Sequence, residues 1–315
     1  MTIRVVKSGV QTTVQARPRS GLRHLGVPAS GPADPLSFAL ANRLAGNALD
    51  AAGLEITLWG AAFAFDTDAL IGIAGAPCEV RRDGRRVDTH ATILARAGQQ
   101  LDIGPATAGA RTYLAVAGGI AADTVLGSAA TYLPAELGGY SGRALRGGDR
   151  LQICDPPGRP APVTTPEEFR PPTGRAIALR ACESAESGLL DDEARHRLFD
   201  CNFTVGARAD RMGLQLDGAR FETTVAGRLE TAPVFPGTLQ CPGDGRPFLL
   251  GIDAQTTGGY PRIAQVARVD RHLIGQLRPG GHVRFLRRSP EAARQDLDSM
   301  LRYWSRWLPG IEALL

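Results

Sequence analysis

The residues best suited to chemistry cluster in Asp253-Ala254-Gln255-Thr256-Thr257-Gly258-Gly259-Tyr260-Pro261. Gln255 brings an amide, and Thr256, Thr257 and Tyr260 bring hydroxyls, so each side chain both donates and accepts hydrogen bonds. A set of this kind can orient a small polar molecule, and Asp253 can steer a neighbour or take a proton. The stretch follows the apolar run 248–252, which reads as a buried strand. Two glycines open backbone conformations closed to other residues, and Pro261 fixes the exit direction. An ordinary polar loop has a similar composition, so both readings stand at this level.

Three further stretches carry polar or cationic groups. Gly26-Val27-Pro28-Ala29-Ser30-Gly31-Pro32-Ala33-Asp34 leads into a helix N-terminus, where backbone N–H groups suit a carboxylate or other anion. Asp34 fits the N-cap position, which competes with a role as catalytic acid. Arg143 follows Gly138-Gly139-Tyr140-Ser141-Gly142 and can bind an anionic group, although tight turns also account for these glycines. Arg211, in Asp210-Arg211-Met212-Gly213, offers a planar five-donor fork suited to carboxylate or phosphate. Its alternative is a structural ion pair with Asp210 or another acid. A lone histidine such as His272 is more often structural than catalytic.

The elements that must position these groups are short. The 38 glycines and 22 prolines punctuate many brief apolar runs. Segments 69–74, 112–117, 176–179, 248–252 and 283–286 read as strands, and regular β-α alternation is absent, so the expectation is mainly β. Helices are expected at Pro35–Ala45, at 190–199 and at 290–308. The first has Asp34 as cap, Pro35 in the first turn and Gly46 at the end. In the last, Ser289 is the cap and Ala293, Leu297, Met300, Leu301 and Trp304 form an apolar stripe read as core packing.

Seven prolines fall between Asp155 and Thr173, a density that continues neither sheet nor helix. The chain therefore divides into a domain at 1–155, a Pro-rich linker at 156–173 and a domain at 174–315. Each half ends on a glycine turn entering an apolar alternation, at 146–151 and 278–285, which hints at two related domains.

Composition excludes several classes. Hydrophobic content of 43% and charged content of 22% describe a soluble globular chain, and no run approaches the roughly 18 apolar residues of a membrane span. The N-terminus lacks a basic region followed by a long apolar stretch, so the expectation is a cytoplasmic protein without signal peptide. Net charge is +4, with arginines dispersed and not interleaved with aromatics, which argues against nucleic-acid binding. Cys78, Cys154, Cys182, Cys201 and Cys241 show neither C-x-x-C nor Cys-His spacing, so they read as reduced, mostly buried thiols and no metal site is expected. Lys7 is the single lysine, which rules out a P-loop, and the Rossmann glycine spacing is missing. No Ser-His-Asp order, HExxH motif or paired-carboxylate pattern emerges.

Four stretches taken in order, Ser30-Gly31-Pro32-Ala33-Asp34-Pro35-Leu36-Ser37, Tyr113-Leu114-Ala115-Val116-Ala117-Gly118-Gly119-Ile120, Arg211-Met212-Gly213 and 255–261, resemble the biotin-dependent carboxyltransferase family. Its members are also called allophanate hydrolase subunit 2-like, KipA-like or the C subunit of 5-oxoprolinase. The match runs from about residue 3 to 287. The resemblance implies two cyclophilin-like β-barrel domains and two kinds of partner, one KipI-like and one LamB/YcsF-like. In the bacterial 5-oxoprolinase these three proteins together open 5-oxo-L-proline to L-glutamate with ATP. Relatives within urea carboxylase transfer a carboxyl group from carboxybiotin to urea, and a regulatory relative counteracts a kinase inhibitor.

Lys7 lacks the Met-Lys-Met-like setting of a biotinyl lysine, so no biotin is expected on this chain, and ATP is expected at the level of the complex. The ATP-dependent lactam hydrolase reading leads, with a carboxyltransferase for a urea-like or amide acceptor and a non-catalytic regulator as alternatives. Either enzyme would hold a small amide and stabilise charge on its carbonyl oxygen. The candidate catalytic residues are Asp34, Arg211 and Asp253. The candidate substrate-binding residues are Ser30, Arg143, Gln255, Thr256, Thr257 and Tyr260.

Overall fold

The computed structural model describes residues 1–156, 158, 160–224 and 229–315. The chain is mainly β, with four α-helices among the described residues. It divides into two compact units. The first comprises 1–19, 30–173 and 304–315, and the second comprises 20–29 and 174–303. The chain therefore enters the second unit for ten residues early on and gives its last twelve residues to the first. Neither excursion follows the domain limits expected from the prolines.

In the first unit a six-stranded sheet runs in the order Arg150–Gln152, Thr2–Lys7, Ala62–Phe65, Gln100–Ala106, Cys78–Arg82, Arg85–Val87. A five-stranded sheet runs Gln11–Gln15, Gly53–Thr57, Arg111–Val116, Ala69–Gly75, Ile93–Ala95. Ile3, Val5, Phe63, Phe65 and Leu101 of one sheet meet Val14, Leu54, Ile56, Ile71 and Leu114 of the other in a single core. Helix α1 (Pro35–Ala45) buries Leu36, Leu40 and Leu44, the stripe expected from their spacing. It lies so close to the sheet that a Cβ at Gly72 would stand 2.2 Å from the Ala41 carbonyl, which is the physical reason for glycine there.

The prolines at 156–173 do not make a free linker. Residues 157 and 159 lie outside those described, but the rest is tied down. Thr92 N donates to Val163 O (2.8 Å) and Thr165 N to His90 O (2.8 Å). Phe169 is buried and stacks on Trp307 with ring centroids 6.1 Å apart. Val163 N also donates to Thr92 Oγ1 (2.9 Å), so backbone bonds on both sides of Thr164 and one aromatic anchor hold the segment.

The second unit is a closed seven-stranded barrel ordered Ala176–Glu183, Arg262–Val266, Thr238–Gln240, Phe248–Leu250, Gly213–Asp217, Asn202–Ala209, His282–Arg287. Parallel pairing of His282–Arg287 with Ala176–Glu183 closes it. The echoed chain ends thus make different ladders, because Arg150–Gln152 pairs antiparallel with the first strand of its own unit. Phe203, Phe285, Leu179, Leu214 and Leu249 fill the barrel.

Helix α2 (Asp192–Asp200) starts later than expected because the Asp191 carboxylate accepts from Ala194 N at 2.7 Å and so serves as its cap. A four-residue helix α3 (Arg271–Ile274) was not legible from periodicity. Helix α4 (Pro290–Trp304) ends short of residue 308. Of its apolar stripe only Trp304 is buried; Ala293, Leu297, Met300 and Leu301 stay partly exposed, which corrects the core-packing reading.

Candidate functional site

Two of the sequence motifs interlock in the second unit. The turn after Phe248–Leu250 runs against the Arg211-Met212-Gly213 segment: Gly251 N donates to Met212 O (2.8 Å) and Asp253 N to Arg211 O (2.9 Å). A Cβ at Gly251 would stand 2.4 Å from the Arg211 carbonyl, so only glycine permits this approach. The two side chains brought together are Arg211 and Asp253. Arg211 Nε donates to Asp253 Oδ2 (2.6 Å) and Nη2 to Oδ1 (3.1 Å), with both residues at most 5% exposed. Of the alternatives open to Arg211, the structure forms the ion pair, with Asp253 as the acid. Asp210 instead accepts from Met212 N (2.7 Å) and Gly213 N (3.1 Å). Two residues expected to work on substrate are thus paired with each other, and they fasten the root of the polar loop.

Beyond this root Thr256 is buried, Thr257 is exposed, and Gln255 and Tyr260 are half-buried. Thr256 O accepts from Val234 N (3.0 Å), and Thr257–Gly258 pairs with Ala232–Pro233 in a two-stranded ribbon. The buried Gln240 is the residue that sequence reasoning missed. Its Nε2 donates to Tyr260 O (3.4 Å), while its Oε1 lies 3.5 Å from Gln255 Nε2. That arrangement fixes the Gln255 amide by its nitrogen and leaves its carbonyl oxygen without a partner among the described residues. Tyr260 lines a cavity of about 350 Å³ with Glu186, Leu229, Glu230, Ala232, Gly258 and Arg262. Glu186 and Arg262 form an ion pair on its wall, which holds the Glu186 carboxyl below its ordinary range and raises the Arg262 guanidinium.

Arg23 joins the same loop from the excursion at 20–29. Its Nη2 donates to the carbonyls of Val234 and Gln255, and its guanidinium lies 5.3 Å from the centroid of the Phe235 ring. Nothing in the spacing of Arg23 could have announced this, since it precedes Gln255 by 232 residues.

The remaining candidates belong to the first unit. Asp34 is the cap of α1: its carboxylate accepts from Ser37 N (3.0 Å) and Ser37 Oγ (2.6 Å), and it is buried. Its loop is pinned to a buried polar cluster in which Ala33 N donates to Glu55 Oε2 (2.8 Å) and Asp34 N to Tyr113 Oη (2.8 Å). Tyr113 Oη donates to Glu55 Oε2 (2.9 Å) and Arg111 Nε to Glu55 Oε1 (3.2 Å). Burial and the charges of Glu55 and Asp34 push the Tyr113 phenol well above its ordinary range, so it stays a neutral donor.

Ser30 sits in this loop with φ +53° and a fully buried hydroxyl that has no hydrogen-bond partner among the described residues. Arg143 is already engaged: Nη1 and Nη2 each donate to Asp149 at 2.8 Å, and the guanidinium covers Tyr140 at 4.9 Å. That bond raises Arg143 and lowers the Asp149 carboxyl. The neighbouring glycines serve the turn, since a Cβ at Gly142 would meet the Glu136 carbonyl at 2.0 Å.

The thiols are less buried than expected. Cys241 alone is buried, with its thiol pushed up to about 11 by burial, and Cys154 is exposed. Among the described residues no cluster of metal-ligating side chains occurs, and no helix is long and apolar enough to cross a membrane.

A family model for the carboxyltransferase domain, subdomain A and B, matches residues 25–287. The chain belongs to that family. Among carboxyltransferase-domain proteins it is 34% identical over 304 residues to the 5-oxoprolinase C subunit of Escherichia coli, covering 96% of this chain and 97% of that protein. It is 32% identical over 275 residues to the 5-oxoprolinase C subunit of Haemophilus influenzae, covering 87% of each. The crystal structure of the K. lactis urea amidolyase superposes with a TM-score of 0.91 at 28% identity, over all of this chain and 20% of that one. The carboxyltransferase fold is therefore present from end to end, and the relatives are parts of enzymes.

Proposed function

We propose that this chain is the C subunit of an ATP-dependent 5-oxoprolinase, which opens 5-oxo-L-proline to L-glutamate together with a LamB/YcsF-like protein and a KipI-like protein. The observation that carries this reading is the 34% identity over 304 residues with the C subunit of Escherichia coli 5-oxoprolinase, against 28% with the urea amidolyase.

In the proposed reaction the ring amide C–N bond breaks. Water supplies oxygen to the carbonyl carbon and a proton to the nitrogen, with ATP hydrolysis in the complex driving the step. The chain's own contribution is positioning. Gln255, held by Gln240, offers its amide carbonyl to the lactam N–H, and the hydroxyls of Thr256, Thr257 and Tyr260 orient the ring. Arg211 and Asp253 keep the loop in place from beneath. Ser30, fully buried in the first unit, has no assigned role in this scheme. Asp34 and Arg143 act as structural groups in this scheme. In this scheme the chain carries no biotin itself, a reading that fits the place of Lys7 at the end of a strand, opposite Ala62.

Co-expression with the two partner proteins, followed by assay of 5-oxo-L-proline-dependent ATP hydrolysis and glutamate release, tests the proposal. Turnover is the expected result. Turnover that requires added carboxybiotin and a urea-like acceptor would instead establish the carboxyltransferase reading, which the whole-chain superposition on the urea amidolyase favours.

A further inference from the structure

A cavity of about 440 Å³ opens in the first unit, and none of the candidate site residues lines it. Arg86, on the edge strand Arg85–Val87, lines it together with Asp88 and Thr89 just beyond that strand. Thr164 and Arg170 line it from the proline-rich segment. Two guanidiniums, one carboxylate and two hydroxyls therefore share one space.

Backbone bonds fix the two sides of this cavity. Thr165 N donates to His90 O (2.8 Å) and His90 N to Ile73 O (2.9 Å). His90 stands between Thr89 and Ala91, both of which line the cavity, with φ +62°. That conformation is costly for a residue other than glycine and persists only where the surroundings enforce it.

The three charged groups are not spent on one another. Arg170 Nε donates to Thr165 O (3.1 Å), which tethers its guanidinium. Arg86 and Asp88 form no ion pair among the described residues, although both line the cavity with Arg170. All three are exposed, so water solvates them and a ligand can reach them.

A guanidinium fork matches a carboxylate, and a carboxylate matches an ammonium group. Two carboxylates and one ammonium are the charge pattern opposite to that of the cavity, and Thr89 and Thr164 can donate to further oxygens. An acidic α-amino acid carries that set. A lone oxyanion such as phosphate would meet the Asp88 carboxylate as a like charge.

We propose that this cavity binds an acidic α-amino acid of the glutamate class, with its two carboxylates on Arg86 and Arg170 and its ammonium on Asp88. The site does not rest on the lactam-opening reading, although that reaction would release a ligand of this class.

The test is calorimetric titration of the full chain with L-glutamate, glutarate and inorganic phosphate. Glutarate keeps both carboxylates and lacks the ammonium. Wild type is expected to bind L-glutamate at least about fivefold more tightly than glutarate, the worth of one charged contact at a partly exposed site. Asp88→Asn should remove that preference while glutarate binding holds or tightens. Arg86→Ala and Arg170→Ala should each weaken L-glutamate about fivefold or more, and Arg86→Lys and Arg170→Lys should retain part of the affinity. Arg4→Ala, at an exposed arginine on another strand of the same sheet, should bind as wild type does. Each variant is checked for an unchanged circular dichroism spectrum and melting curve.

No saturable binding of L-glutamate, equal binding of L-glutamate and glutarate, or tighter binding of phosphate than of L-glutamate overturns the site. A preference intact in Asp88→Asn, or an affinity untouched by both alanine variants, does so as well. The two proposals fail separately. Binding with this charge dependence, without 5-oxo-L-proline turnover by the complex, keeps the site and removes the lactamase. Turnover without L-glutamate binding at these residues does the reverse.

Discussion

Replacing Asp253 by leucine isolates the structural meaning of the Arg211–Asp253 pair. The substitution removes an acceptor of two charge-assisted bonds, at 2.6 and 3.1 Å, and leaves a guanidinium that is 5% exposed. Breaking a buried pair by removing one partner costs about 3–5 kcal/mol, because the remaining charge is uncompensated. For a unit the size of the second one, 1 kcal/mol corresponds to about 3 °C, so its unfolding transition should fall by about 10–15 °C. The double variant Arg211→Met/Asp253→Leu removes both charges and should recover most of that loss, giving a coupling of about 3 kcal/mol in a double-mutant cycle. Urea and thermal unfolding of the wild type, the two single variants and the double variant measure it. If Asp253→Leu stays within about 1 kcal/mol of wild type while abolishing turnover of the complex, the pair is not what holds the loop, and Asp253 returns as a proton acceptor.

Asp34→Ala should destabilise the first unit by about 1 kcal/mol, the usual worth of a helix cap, with turnover retained once the variant is folded. A loss of turnover at unchanged stability would put Asp34 back among the catalytic groups. Burial, with a smaller contribution from Arg170, lowers His90 from 6.5 to about 4. The unfolded chain thus takes up this proton before the folded one does. The stability at stake, on the order of 3 kcal/mol, is fully present above pH 6.5 and is lost progressively as pH falls toward about 4. His90→Gln should flatten that part of the stability profile, and an unchanged slope would count against the assignment. Iodoacetamide should label Cys154 in the native protein and spare Cys241, whose buried thiol stays protonated at about pH 8; equal labelling by mass spectrometry would contradict it.

Helix α1 shows what local sequence can decide. Asp34, Pro35 and Gly46 are start and stop signals that act within one turn, and Leu36, Leu40 and Leu44 share a face by geometry alone, so its limits were legible to the residue. The strands at 69–75 and 111–116 were legible for a similar reason, because β-rich apolar runs bounded by glycine have few other uses. The apolar stripe of α4 was equally plain as a pattern, yet periodicity states which residues share a face and not how far that face is covered. The prolines at 156–173 excluded regular structure there, but whether such a segment floats or is bound depends on partners such as Thr92, His90 and Trp307.

The sequence by itself determined the mainly β character, the first helix and the family to which the four motifs belong. The partners of the candidate residues were decided only by tertiary structure. Arg211, Asp253, Arg143 and Asp34 are charged groups whose chemistry depends on whether a partner of opposite charge or a backbone donor is within about 3 Å. Chain order does not encode that distance. Asp253 lies 42 residues from Arg211 and meets it, and Gln255, once the uncommitted centre of the polar loop, is held by Gln240 and approached by Arg23 from the far end of the chain. Folding paired these charges with one another or with backbone donors, at distances that only the tertiary structure sets.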